Sequence, residues 1–361
     1  MISVILPTYE NPESVMCCLA ALEKQTLWQA KGEPGAVPPL EIIAVDDSNS
    51  DEVEKVLIGP YWGIYYKRIR SSPPRTGRFT AGRARNMGAA NAQGDLLVFI
   101  DQDVMLAPDC LANYQKAYER HGDNVVYVGL YHWMRRIEFG PRDVKQNFDA
   151  IVAAGMGATD DTFKPLPMDE PGLQGRDHRE QDFGDIDHIV DDASLGAHSG
   201  NVGYPRDLFM ELGGFDEAIN RHGGEDADLG LSAKAHGAKF LLWDGLWGVH
   251  RWHTRNQKLN EAEVQLNIEY IDRKHGIGQY ADAHKWMDAR NWGDKIHYHK
   301  DVGGVLMQGN GDPTMWICRD GHRMGLATPE AVKEMGFKPS DVMMVPILSL
   351  DSYEVMGVIG G

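Results

Sequence analysis

The chain has 361 residues, is 42% hydrophobic and 25% charged, and carries a formal net charge of −17. This composition excludes global disorder, and the length suits one large domain with a smaller one beside it. So acidic a protein is a poor general partner for nucleic acid, which needs basic surface against its phosphates.

The first stretch, "ISVILPT" (Ile2–Thr8), is apolar, β-branched and without alternation, as in a strand buried on both faces. "NPESVMCCLAALEKQ" then reads as a helix. Asn11 can cap it, Pro12 fits the first turn, and Val15, Leu19 and Leu22 recur at helical spacing. Lys31–Pro39 is a loop, and "LEIIAVDDS" (Leu40–Ser48) is a second buried strand, ending in acids. Ile64–Ser71 reads as a third strand and Thr80–Gly94 as a helix with Gly94 at its end. "LLVFI" (Leu96–Ile100) is a further buried strand that runs directly into "DQD". Strands alternating with helices predict a mostly parallel sheet in an α/β domain.

Arg135–Leu195 is rich in Gly, Pro and Asp and reads as long loops. Order is expected again over Ser199–Glu217, with a short helix after Pro205. Over Gly223–Asp244 the pattern is loop, helix and strand, with Gly237 as the helix stop, and Leu259–Gly276 is another helix. Beyond about Asp301 a hairpin turning at Asp320–Gly321 and a short helix are expected. The predicted domains are therefore 1–300, with a nucleotide-binding half over 1–105 and an acceptor-side half over 106–300, and a small module over 301–361.

The four cysteines, Cys17, Cys18, Cys110 and Cys318, form no C-x-x-C pair, which argues against a zinc or redox motif. The N-terminus has no basic region, its apolar run is too short for a signal peptide, and no run reaches transmembrane length. A cytoplasmic setting is expected.

Two strands end in paired acids, Asp46–Asp47 and Asp101–Asp103. Each acid alone suits a turn or cap, and Asp-x-Asp recurs at Asp185–Asp187 and Asp226–Asp228. Ligands of open parallel sheets bind beyond the carboxyl ends of the strands, however, and four acids there repel unless a cation or hydrogen-bond donors offset them. Hard oxygen donors suit Mg²⁺ or Mn²⁺, ions that also bind phosphate oxygens. A divalent ion would thus let an acidic protein hold a diphosphate.

In order along the chain, "SVILPTYE", "EIIAVDDSNSDE", "AGRARNMGAANAQGDLLVFIDQDV", "GYPRDLFMELGGFDE" and "GGEDADLGLSAKAHG" resemble the family 2 glycosyltransferases of the GT-A fold, over roughly Met1–His253. The resemblance implies a Rossmann-like, mostly parallel mixed sheet flanked by helices. It also implies a nucleotide-sugar donor, a UDP-sugar first, a glycan or protein acceptor, and Mn²⁺ or Mg²⁺ as cofactor. By the same resemblance Asp103 is the direct metal ligand, Asp101 contacts metal, ribose or sugar, and His250 of "WGVH" is a further ligand. Pro7, Thr8, Tyr9, Glu10, Asp46, Asp47 and Gln102 line the donor pocket, and Arg85 with Asn86 frames it. Asp226 is the general base and Glu225 its neighbour on the acceptor hydroxyl. A carboxylate base suits an acceptor hydroxyl, whose direct displacement inverts the anomeric centre.

His250 and His253 sit among Trp243, Trp247 and Trp252, where packed histidines are also at home, and Glu225 and Asp226 equally suit a helix start. A dehydrogenase is disfavoured because "TYENPES" follows the first strand without G-x-G-x-x-G. A sugar-nucleotide synthase would need a glycine-rich basic loop there. A retaining enzyme acting on Ser or Thr of proteins, and a non-catalytic glycan binder, remain as alternatives. The segment from Thr314 to Gly357 resembles a small module repeated in bacterial surface and secreted proteins. No nucleic-acid partner is expected, and oligomeric state is left open.

Overall fold

The computed structural model describes residues 1–29, 39–58, 66–70, 81–134, 136–155, 177, 179–220, 223–253 and 267–276, with short stretches from 298 to 359. The chain divides into two compact units, one of Met1–Asn220 with Glu225–Arg255 and one of Arg221–Gly224 with Asn256–Gly361. The expected boundary at 300 falls within the second. The loop expected at Lys31–Pro39 lies mostly outside the described residues, as do much of the Leu259–Gly276 helix and the short helix after the C-terminal hairpin.

In the first unit β1 (Ile2–Thr8) is buried along its length because helices cover both its faces. Ile2, Val4 and Leu6 pack with Val15, Leu19 and Leu22 of α1 (Pro12–Glu23). Ile5 points the other way, toward Ala84 and Ala89 of α3 (Ala81–Ala90). Side chains that alternate between two buried faces favour apolar residues throughout, and the polar exception inside the strand, Ser3, donates its hydroxyl to Glu41. Each such residue contributes about 1.5–3 kcal/mol by leaving water. Asn11 caps α1 by accepting from the Ser14 amide at 3.1 Å, with Pro12 in the first turn, as expected.

β2 (Leu40–Asp46), α2 (Glu52–Ile58), β3 (Tyr66–Arg70), β4 (Leu96–Ile100) and β5 (Val104–Leu106) complete the first half. α3 ends at Ala90, so Gly94 is not its stop. A Cβ at Gly94 would come within 2.5 Å of Ser3 Oγ and 2.8 Å of Met1 O, so its glycine serves close chain approach instead.

α4 (Cys110–His121), β6 (Val125–Trp133) and α5 (Pro141–Gly155) follow. The loop reading of Arg135–Leu195 is corrected over Pro141–Gly155, which is helical. Val144, Phe148 and Ile151 give α5 an apolar stripe that packs on Cys17, Ala20 and Ala21 of α1. Then come β7 (Ile189–Val190), β8 (Asn201–Pro205), α6 (Arg206–Glu211), α7 (Glu225–His236) and β9 (Lys239–His250). Gly237, at φ +89°, follows α7 as expected.

The sheet order is β3-β2-β1-β4-β8-β6-β9-β5, with β7 on β9. Pairings from β3 to β4 are all parallel; β8 runs antiparallel to β4 and β6, and β6 is parallel to β9. The fold is thus a mixed α/β sheet flanked by helices. Its parallel half carries the N-terminal motifs.

The second unit contains a six-stranded sheet of β10 (Tyr298–His299), β11 (Gly304–Gly309), β12 (Met315–Arg319), β13 (His322–Leu326), β14 (Met343–Val345) and β15 (Glu354–Ile359). Arg319 pairs with His322, in agreement with the expected hairpin. Among the described residues, no helix is long and apolar enough to cross a membrane.

Candidate active site

β4 ends at Ile100, and the next three residues turn into β5. β5 pairs with the end of β9, setting Val104 opposite His250. This register brings residues 103 and 250 together across 147 positions of sequence. Asp103 Oδ1 lies 3.4 Å from His250 Nε2, and Asp103 Oδ2 lies 3.0 Å from His253 Nε2. The ligand atoms of Asp103, His250 and His253 all fall within 4.8 Å of one another. His250 Nδ1 donates to the Arg251 carbonyl at 2.9 Å, which leaves the Nε2 lone pair for the cluster. One carboxylate and two imidazoles fit Mn²⁺, or another first-row divalent ion, better than Mg²⁺, which prefers oxygen donors throughout.

Asp101, also expected at the metal, is not among the three grouped ligand residues. Its Oδ1 accepts from Arg85 Nη2 at 2.7 Å, while Arg85 Nη1 donates to Glu225 Oε1 at 3.0 Å. Arg85 is 3% exposed and passes 5.3 Å from the Phe215 ring centroid. Burial pushes the Asp101 carboxyl up; Arg85 opposes this, and Asp103 adds to it. Glu225 is buried at the start of α7, and its carboxyl is raised to about 7 by burial first and then by Asp226, against the pull of Arg85. Asp226 is half-buried in the same first turn, where its Oδ1 accepts from the Ala227 amide at 2.8 Å. Its charge acts on Asp101, Glu225 and Tyr131, so these groups share one region.

Several residues expected in the donor pocket hold loops together. Gln102 accepts from the Tyr9 amide at 2.7 Å and donates to the Tyr9 carbonyl at 2.9 Å, tying the acidic turn to the end of β1. Glu10, at φ +45°, accepts from the Asn49 and Ser50 amides and from Ser50 Oγ, which holds its carboxyl below the usual range. That left-handed conformation costs on the order of 1 kcal/mol in a residue with a side chain, which these bonds offset. Asp46 is fully buried and accepts from Arg70 Nη1 at 2.7 Å and the Ser48 amide at 3.1 Å. Asp47 is buried beside it, its amide on the Thr8 carbonyl at 2.9 Å. Thr8 Oγ1 donates to the Val45 carbonyl, and Pro7 lies opposite Val45. Asn86 donates to the Phe215 carbonyl at 2.8 Å and accepts from the Phe215 amide at 2.9 Å, thereby holding the "GGFDE" turn.

Sequence reasoning missed a buried pair. Asp177 and Arg179 form a salt bridge that also takes up the Tyr131 amide and the carbonyls of Gly129 and Gly196. Arg179 holds the Asp177 carboxyl well below its usual range, against burial. His253 was only a neighbour of the expected ligand. The H-x-x-H spacing at the end of β9 is the signal that could have marked it.

Residues 3–164 match the model described as glycosyl transferase family 2. That match covers less than half of the chain; together with the relatives below it supports a transferase enzyme, with the likeness to glycosyl transferase family 2 lying in those residues. It is 26% identical over 302 residues to the uncharacterized glycosyltransferase YfnE of Bacillus subtilis, covering 78% of this chain and 72% of that one. It is 26% identical over 285 residues to validoxylamine A glucosyltransferase of Streptomyces hygroscopicus subsp. jinggangensis, covering 76% of this chain but only 61% of that protein. Among solved structures, S. aureus TarS 1-349 in complex with UDP-GlcNAc is similar at TM-score 0.48 and 15% identity, over 79% of this chain and 69% of that chain.

Proposed function

We propose that this protein transfers a sugar from a nucleotide-sugar donor, a UDP-sugar first, to an acceptor hydroxyl with inversion at the anomeric carbon. The observation that carries this reading is the Asp103–His250–His253 cluster at the end of β4 and β9, with Asp101, Glu225 and Asp226 in the same region. Asp103, His250 and His253 would hold Mn²⁺, which when bound neutralises charge on a diphosphate leaving group.

The protein groups divide the remaining work. Asp226, half-buried and with its Oδ1 on the Ala227 amide, takes the proton of the acceptor hydroxyl as that oxygen attacks. Arg85 fixes Asp101 on the donor side and Glu225 on the acceptor side with one guanidinium. Glu225 is therefore a positioning group here rather than a second base. The nucleoside lies over the ends of β1 and β2, beside Tyr9 and Asp47. The strands beyond residue 301 serve as an accessory module.

A panel of UDP-, GDP- and TDP-sugars, incubated with Mn²⁺ and assayed for release of the nucleoside diphosphate, tests the reading. Release from one UDP-sugar that stops on chelation of Mn²⁺ is expected. Metal-independent release, or none from any donor, would overturn it.

A further inference from the structure

β6 ends in "YHW", and the sheet register sets Trp133 opposite His250. Their ring centroids are 4.1 Å apart at 36°, so the indole lies against the proposed metal ligand. Tyr131 stands 5.6 Å from Trp133, 5.9 Å from His250 and 6.1 Å from His198. Its hydroxyl bonds His198 Nδ1 at 3.2 Å. Tyr131, Trp133 and His198 are all half-buried, so a contiguous aromatic surface keeps contact with solvent beside a charged centre.

The surface is held in place deliberately. The Asp177 carboxylate accepts from the Tyr131 amide, and the Arg179 guanidinium lies 5.3 Å from the Tyr131 ring centroid. Tyr131 also reaches the reacting groups. A Cβ at Gly200 would come within 3.0 Å of the Tyr131 ring and 3.3 Å of Asp101 Oδ2, so only a glycine separates them. The charge of Asp226 is felt at Tyr131.

A flat aromatic surface with hydroxyl and imidazole groups at its rim matches one ligand chemistry well. A pyranose ring offers a face of C–H groups that stacks on aromatic carbon and an edge of hydroxyls that needs hydrogen bonds. Topology separates the acceptor sugar from the donor. The proposed nucleoside pocket lies over β1 and β2, on one side of β4, whereas β8 and β6 lie on the other.

We propose that Trp133, Tyr131 and His198 form a subsite for the pyranose ring of a saccharide acceptor, with the indole as stacking platform and the Tyr131–His198 pair binding its hydroxyls. This rests on the glycosyltransferase reading and narrows its acceptor from any hydroxyl to a carbohydrate. The Asp177–Arg179 pair is the positioning device of the subsite.

The test is calorimetric titration of the full chain with Mn²⁺ and UDP present. The probes are methyl glycosides and disaccharides of glucose, galactose, N-acetylglucosamine and glucuronic acid. At least one is expected to bind, about tenfold more weakly to Trp133→Ala and to His198→Ala, as loss of one stacking or hydrogen-bonding group implies. UDP affinity should stay unchanged in His198→Ala, which leaves the His250–Trp133 contact in place. Tyr131→Phe keeps the ring, so a loss there isolates the hydroxyl. Binding of no saccharide to the wild type, equal binding to the folded variants, or weakened UDP-sugar binding in place of saccharide binding would overturn the subsite. Failure of UDP itself to bind the wild-type protein would instead overturn the glycosyltransferase reading.

Discussion

Arg85 donates to Asp101 across 2.7 Å from the middle of helix α3. The same guanidinium reaches Glu225, so one buried cation serves two carboxylates, one in the turn after β4 and one at the start of helix α7. A planar fork can meet both at once, whereas an ammonium is a single point charge. Arg85→Lys is therefore expected to keep the fold at reduced stability and to lose most turnover. Arg85→Ala, which strands buried Glu225, should cost about 3–5 kcal/mol, less whatever water returns to the partly exposed Asp101. Urea denaturation and diphosphate release, measured on both variants, check this. Full activity in Arg85→Lys would show that the bridge does not matter.

Glu225 gives a pH signature. Its carboxyl ordinarily titrates near 4.5 and is raised to about 7 in the folded chain. Between those values the folded state keeps a proton that the unfolded state has released. The resulting stability is fully present below about 4.5 and is lost as pH rises through about 7. Glu225→Gln removes this component. Denaturation midpoints taken from pH 5 to pH 8 should fall more steeply for the wild type than for the variant, and parallel curves would refute the assignment.

Asn86 separates what the sequence could reveal from what it could not. The helix around it was legible, because "AGRARNMGAANAQG" precedes a buried strand and contains no proline. Its partner was not, since Phe215 lies 129 residues away and only the packed fold brings them together. The buried strands β1, β2 and β4 were readable from short, mostly apolar and β-branched runs, and Gly237 from its place after α7. α5 was hidden because its stripe of Val144, Phe148 and Ile151 sits among Asp, Gly and Pro residues that dominate a composition-based reading. The Arg179–Asp177 pair left no trace in pattern, because two charged residues in a polar stretch look like surface. Asn86→Ala, which frees both backbone groups of Phe215, should destabilise the protein by about 1–3 kcal/mol while leaving Mn²⁺ dependence as it was. A shifted metal titration would move Asn86 back to the donor side.

The proposed metal cluster makes a graded expectation. His253 is the most exposed of the three, at 31% of its side chain, against 13% for Asp103 and 7% for His250. Removing a ligand from a three-group site weakens metal binding by at least about tenfold. His253→Ala should raise the Mn²⁺ needed for half activity, His250→Ala should raise it further, and Asp103→Asn should abolish metal-dependent turnover. Acidification should mimic the histidine variants, because imidazoles must be neutral to bind the ion. Manganese titrations at pH 6 and pH 8 test the order, and an unchanged requirement in His253→Ala would remove it from the set.

Asp226 and Glu225 are adjacent acids with opposite surroundings, and this predicts opposite phenotypes. Glu225 is buried with one oxygen on Arg85, so its loss is felt as stability and position. Asp226 is half-buried with one oxygen on its own helix, and its charge acts on Asp101 and Tyr131. A group placed to take a proton in the transition state contributes roughly 10²–10⁴-fold to rate and little to ground-state binding. Asp226→Asn should therefore lower kcat for transfer by that order, with the midpoint of thermal unfolding and the affinity for UDP near wild type. Glu225→Gln should change the unfolding profile more and kcat less. Parallel measurement of unfolding, UDP affinity and transfer on the two variants separates the roles. If Asp226→Asn loses UDP affinity instead, its carboxylate belongs to the donor side and the base must be sought elsewhere.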